Sequence, residues 1–326
     1  MLPPVFPAHF LARGALQLLP LLAAEPPAPG EVALKLAWPA RLRCEVQHTT
    51  RATFGQGRAP RGNTVRLSLE AVKSGDGWLV RRKVTGTTED APETVGAPAG
   101  KPAKAHKPME PHELELLMYP PFKVSSGGAF TALELGADDR AFFEQRDAQD
   151  KRQQEMIRKL APETRLPPHE DALAASTKRA ESDWNFLVGA WAGKELREGE
   201  GPASSTDRTL QLPLMAPIHI ADRMKLTRGV PCKPTPRGGC VELEIISEPD
   251  PATAPSGAAG PLGDFHYRMT TTLVTDPRTL IPRSYERVMD TTTPDPALVS
   301  PRPGAVTSSA AERTSHVDET MSFRCR

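Results

Sequence analysis

The sequence predicts an α+β fold in which two central helices pack on a large antiparallel, partly barrel-like β-sheet. Three observations carry that expectation. Runs of strict apolar/polar alternation, the period of a half-buried strand, occupy both ends of the chain. The middle repeats at helical spacing instead. Cys44 and Cys325 fall on the apolar faces of strands near the two ends, so a bond between them would close 31–326 into one domain rather than two.

At the start, Arg13 precedes an apolar run at 15–24 that ends in small residues, followed by a proline-rich linker at 25–30. Residues 1–24 read as a secretory signal peptide, too short to span a bilayer. A misplaced start or a disordered arm is the alternative. No lipid-attachment cysteine follows, and four cysteines, an even number, agree with a secreted or periplasmic location. Forty-one basic residues against forty acidic ones give +1, a balance that implies neither nucleic acid nor an anionic membrane surface as partner. The 35 prolines, about twice the usual frequency, imply long irregular loops.

Strands are expected at 32–36, 41–54, 64–72 and 78–85. Leu42, Cys44 and Val46 alternate with Arg41, Arg43 and Glu45, while Val65, Leu67, Leu69 and Ala71 share one face of the next strand. Asp76 and Gly77 are expected to supply the hairpin turn after it. Residues 86–111 collapse to Pro, Ala, Lys, Thr and Glu and are expected to be disordered; 113–119 and 122–135 return to the sheet. A helix begins at Asp138 or Asp139 and runs to about residue 160 before Pro162, mostly solvated because 144–155 is almost wholly polar. The second helix, 168–192, has Pro168 in its first turn and Glu170 and Asp171 complementing its dipole. Its stripe of Leu173, Thr177, Ala180, Trp184, Leu187, Val188 and Trp191 docks on the sheet until Gly193 stops it. Strands follow at 207–212, 218–226, 240–247, 264–275, 283–290 and 314–325, with disordered loops near 249–263 and 293–311. In the last strand Val317, Met321, Phe323 and Cys325 share the apolar side.

Inward phase pairs Cys44 with Cys325. Cys232 and Cys240 flank Lys-Pro-Thr-Pro-Arg-Gly-Gly, a loop whose turn residues bring its ends together, and so pair with each other. Buried free thiols are one alternative. A zinc site is another, disfavoured by the wide spacing.

No nucleophile elbow, zinc-protease helix, phosphate loop or dinucleotide turn is present, so no catalytic residue, metal or cofactor is assigned, and the chain leans away from an enzyme. His112 beside Glu113 and His169 beside Glu170 read as solvated or capping residues. His48 differs, because alternation puts it on the inward side with Cys44 and Val46; a core histidine satisfied by hydrogen bonds is favoured over a base or ligand. Glu242 and Glu244 read as the solvent side of a half-buried strand, and Asp138, Asp139, Asp147 and Asp150 as a wet helix face.

The segment 273–288 carries Asp276, Pro277, Thr279 and Pro282 between alternating flanks. It resembles the hairpin of periplasmic lipoprotein-carrier proteins and related lipid-binding half-barrels, in which an Asp-Pro-x-Thr-x-x-Pro turn joins two antiparallel strands. Resemblance to that family implies a sheet wrapped around an apolar cavity and covered by helices. Val65, Leu67, Leu69, Trp78, Val80, Val84, Trp184 and Trp191 are the candidate lining residues.

The expected function is therefore that of a noncatalytic envelope protein binding an apolar or lipid-like ligand or another envelope protein. A hydrolase assembled only in three dimensions is the alternative, favoured by His48 meeting an acid and a nucleophile in a cleft. A structural or interaction module is favoured if the sheet encloses no cavity.

Overall fold

Eleven of the strands form one row, β6-β5-β4-β3-β2-β14-β13-β12-β11-β10-β8, hydrogen-bonded in antiparallel fashion, with β9 pairing with β10 off that row. These are β2 (Arg41–Phe54), β3 (Arg61–Ser74), β4 (Gly77–Glu89), β5 (Phe122–Val124), β6 (Phe130–Leu133), β8 (Gly199–Glu200), β9 (Ser204–Leu210), β10 (Ile218–Pro231), β11 (Gly239–Pro249), β12 (His266–Thr275), β13 (Pro282–Pro294) and β14 (Glu312–Cys325). The computed structural model from which they are read describes residues 30–55, 61–89, 110–160, 169–201, 204–210, 218–232, 239–251, 265–294 and 312–326. The expected signal peptide, almost all of the linker, and most of the three expected disordered loops lie outside those residues. β1 (Glu31–Ala33) and β7 (Glu195–Arg197) make a separate two-stranded sheet.

The chain starts the large sheet at its seam. It steps outward through β3 to β6, crosses by way of the helices to the far edge, and returns strand by strand to β14, which pairs with β2. Cys44 and Cys325 are direct partners in that register and are disulfide-bonded, as are Cys232 and Cys240. The expected barrel-like closure does not occur among the described residues: the row ends at β6 and β8, and the sheet stays open.

Alternation sets the faces as the sequence implies. Leu42, Cys44, Val46 and His48 are buried along β2, and Val65, Leu67, Leu69 and Ala71 along β3. The β3–β4 turn is built differently. Gly75 takes the positive φ of 62° at the first central position, as a two-residue hairpin loop allows. Gly77 answers a different need, since a Cβ there would stand 1.9 Å from the Val124 carbonyl oxygen.

Among the described residues there are three α-helices, not two: α1 (Pro111–Met118) and α3 (Ala172–Trp184), the latter continuing into a π-helical turn at Asn185–Gly189, pack on the sheet, and α2 (Ala137–Leu160) packs on α3. α1 replaces the strand expected at 113–119. Proline in its first turn and a capping box between Glu110 and Glu113 favour the helix over the alternation of Leu114, Leu116 and Met118. The Glu115 carboxylate of α1 then accepts from the Val84 backbone N–H at 2.7 Å, satisfying a donor on β4. α2 buries only Phe143, so it is the solvated helix its composition implies. α3 starts at Ala172, capped by Asp171, which accepts from the Ala174 N–H at 2.9 Å; Pro168 lies outside the described residues. Its stripe meets the sheet as expected, with Ala180, Trp184, Leu187, Val188 and Trp191 buried.

Candidate functional site

The sequence-predicted lining residues meet between sheet and helices, six from β3 and β4 and Trp184 and Trp191 from the segment that covers them. Val65, Leu67, Leu69, Trp78, Val80, Trp184 and Trp191 are buried there and Val84 is half-buried. Trp38 meets Trp184 edge-on at 5.5 Å between ring centroids and Trp78 at 6.4 Å. The Trp184 indole donates to the Gly128 carbonyl at 2.7 Å, which anchors the end of α3. Packing leaves about 20 Å³ between sheet and helix, bordered by Trp38, Leu69, Arg82, Phe122, Trp184 and Leu187. In this state the side chains fill the interior against one another.

A buried polar cluster interrupts the apolar layer. His48 projects from β2, its Nδ1 2.8 Å from the Tyr119 hydroxyl and its Nε2 2.8 Å from Glu319 on β14, with Thr50 Oγ1 at 3.3 Å from Nε2. An ionised Glu319 can only accept, so Nε2 carries the proton; in the neutral ring Nδ1 then accepts from Tyr119. Glu319 also accepts from Arg287 on β13. Burial alone would raise the Glu319 carboxyl, but the His48 hydrogen bond and the Arg287 charge outweigh it and hold it below its ordinary range. Burial drives the Tyr119 phenol up to about 12, with the Arg82 charge opposing.

The cluster continues onto the helix. Asp183 of α3 lies 3.8 Å from Arg82 of β4, and burial raises its carboxyl while Arg82 pulls the other way. The Arg82 guanidinium lies over the Tyr119 and Phe122 rings, 5.2 and 5.4 Å from their centroids. On the other side of the sheet seam, Arg208 and Arg287 both lie over Phe186 of the π-turn, at 5.4 and 5.7 Å. Arg208 also pairs with Asp222, which accepts from Ser247 at 2.8 Å.

A hydroxyl, an imidazole and a carboxylate in sequence have the order of a nucleophile relay. The environment argues against that use. Tyr119 is 4 % exposed, its phenol is held protonated, and neither described opening at the inner face nor the groove outside has His48 in its wall. What the geometry does is join the end of α1, α3 and the four strands β2, β4, β13 and β14 through side chains.

The sheet's outer face carries a groove of about 670 Å³ whose exposed rim includes Arg43, Arg66, Arg324 and Arg326 with Glu45 and Glu70. The other residues read as solvated from sequence are partly engaged: His169, Asp139, Asp147 and Asp150 are half-buried. His112 meets Asp139 at 3.3 Å and His169 meets Asp147 at 2.5 Å, both as partners of α2, and Glu242 and Glu244 sit half-buried opposite buried Val241, Leu243 and Ile245.

Sequence reasoning missed Arg82, Tyr119, Asp183, Arg287 and Glu319. Parity holds the signal for two of them. Arg82 shares its phase with Trp78, Val80 and Val84, and Glu319 shares its phase with Val317 and Met321, so each is a charge on an apolar face. Among the described residues no helix is long and apolar enough to cross a membrane. Comparison of the chain with protein-family models and with curated proteins finds no match in either.

Proposed function

We propose that the protein is a noncatalytic, extracytoplasmic binding protein that holds an apolar, lipid-like molecule between the inner face of its sheet and the helices covering it. The carrying observation is the polar cluster in the helix–sheet interface. Buried ion pairs add little net stability, because water repays their desolvation once they separate. A helix layer fastened through His48–Tyr119 and Arg82–Asp183 can therefore lift at lower cost than one fastened by apolar contact alone. Lifting α3 exposes Trp38, Trp184 and Leu187 and turns a filled interior into an apolar site, for which about 300 to 1,000 Å³ is usual. An open antiparallel sheet under helices also agrees with the half-barrel that the 273–288 hairpin resembles. The apolar run at 15–24 and the two disulfides support export.

Solvent extraction of natively purified protein followed by lipid mass spectrometry tests the proposal, together with a thermal-shift screen of fatty acids and phospholipids. A ligand at a hundred times its dissociation constant adds about 2.7 kcal/mol. No extracted species and no shift would overturn it. The interaction-module reading would then lead, favoured by the filled interior and the 670 Å³ outer groove.

A further inference from the structure

Arg82 has an unpaired edge. Its side chain is 7 % exposed, its Nη1 faces Asp183 at 3.8 Å, and among the described residues its Nε and Nη2 have no hydrogen-bond partner. Buried donors without partners are rare in folded proteins. The two free nitrogens are not scattered. Nε and Nη2 form one side of the guanidinium, the fork that takes both oxygens of a carboxylate at once. The guanidinium also lies near the Tyr119 and Phe122 rings, neither of which accepts a hydrogen bond from that edge.

The surroundings say what else the partner carries. Arg82 stands across from Leu69 in the β3–β4 register and borders the small space walled by Trp38, Leu42, Phe122, Trp184 and Leu187. Anything bonded to the fork must continue into aliphatic and aromatic walls. Were Arg82 only filling the core, an apolar side chain of similar volume would serve at least as well.

We propose that Arg82 is the head-group anchor of the binding site and that the ligand is a long-chain carboxylate, its two oxygens on Nε and Nη2 of Arg82 and its chain along Trp38, Trp184 and Leu187. This rests on the lipid-binding function proposed above and names its ligand class. Loading gives acceptors to the two unbonded nitrogens as it displaces the α3 side chains, so the gain at the head offsets part of the loss of packing at the tail.

Titration followed by tryptophan fluorescence tests it, since Trp38 and Trp184 border the space. Dodecanoate should bind the wild-type protein at least tenfold more tightly than 1-dodecanol, and acetate, the head without the chain, should give no response. Arg82→Met should abolish the preference for dodecanoate while still binding 1-dodecanol. Should that variant not fold, the Arg82 Nε–H resonance of the wild-type protein in ¹⁵N NMR decides: it should shift with dodecanoate and stay in place with 1-dodecanol. Equal binding of dodecanoate and 1-dodecanol, or an acetate response equal to that of dodecanoate, overturns the anchor and leaves lipid binding standing. No response to either long-chain probe removes both.

Discussion

Cys44 and Cys325 face each other across the β2–β14 seam with Cα atoms 4.0 Å apart, although 281 positions separate them in the chain. Arg43 and Arg326 next to them exchange both backbone hydrogen bonds, so the cysteines occupy the neighbouring non-hydrogen-bonded pair, where strands come closest. The bond thus locks β2 to β14, the pairing that, among the described residues, joins the first meander to the second in the large sheet.

Opening that bond should cost far more than opening the other. In the chain-entropy account the long closure contributes at most about 5.6 kcal/mol and the Cys232–Cys240 loop about 2.6 kcal/mol. Denaturant titration of the Cys44→Ala/Cys325→Ala and Cys232→Ala/Cys240→Ala pairs should show that order. Equal losses, or nonreducing peptide maps that recover Cys44 joined to Cys232, would contradict it.

Trp184→Ala should lower stability by about 3 to 5 kcal/mol, because it removes a buried indole that touches Trp38 and Phe122 and donates to Gly128. Urea unfolding measures it. A change below about 1 kcal/mol would mean that the α3 stripe is not held against the sheet in solution.

Faces proved more legible than partners. Period two is enough to send Leu42, Cys44, Val46 and His48 inward, because a one-residue slip would turn the whole set to solvent. It also sends Arg82 and Glu319 inward, but what makes those positions tolerable is their pairing with Asp183 of α3 and with His48 and Arg287 of the strands that flank β14, a matching that local periodicity does not encode. α1 was misread for a related reason: eight residues are too few to separate a helical from a strand repeat, and the decisive signal is the cap at Glu110 and Glu113. Closure was overestimated because the bond between Cys44 and Cys325 looks from sequence like the joining of two edges, whereas it ties two neighbours in the middle of an open row.

Leu280 should reverse the usual order of alanine and glycine. It is fully buried at φ 55° in the β12–β13 turn, where its carbonyl accepts from the Trp38 indole at 3.3 Å. Both truncations lose the same packing to within a methyl group, but only glycine relieves the left-handed backbone, worth about 1 to 2 kcal/mol. Greater freedom of glycine in the unfolded chain returns about 0.4 to 1 kcal/mol of that. Leu280→Gly should therefore be at least as stable as Leu280→Ala by thermal unfolding; a glycine variant clearly less stable than alanine would show the turn to be unstrained.

Glu319 makes the sharpest pH test of the buried cluster. Its carboxyl is lowered in the folded state, so the stability it contributes is fully present above its unfolded value of 4.5 and is lost as pH falls through the folded one. Asp183 works in the opposite sense: its raised carboxyl contributes below the unfolded value of 3.8, and that contribution is lost as pH rises. Glu319→Gln keeps the shape but leaves Arg287 without its charge partner, which should cost about 3 to 5 kcal/mol at pH 7. On acidification below the ordinary carboxylate range the wild-type side chain takes up a proton and comes to resemble glutamine. The gap between variant and wild type, followed by denaturant titration across that range, should then narrow. A gap that stays constant down to the acid transition would mean that folding does not lower the Glu319 carboxyl, and a gap that widens on acidification would mean that Glu319 is held protonated, with the hydrogen-bond order from Tyr119 through His48 reversed.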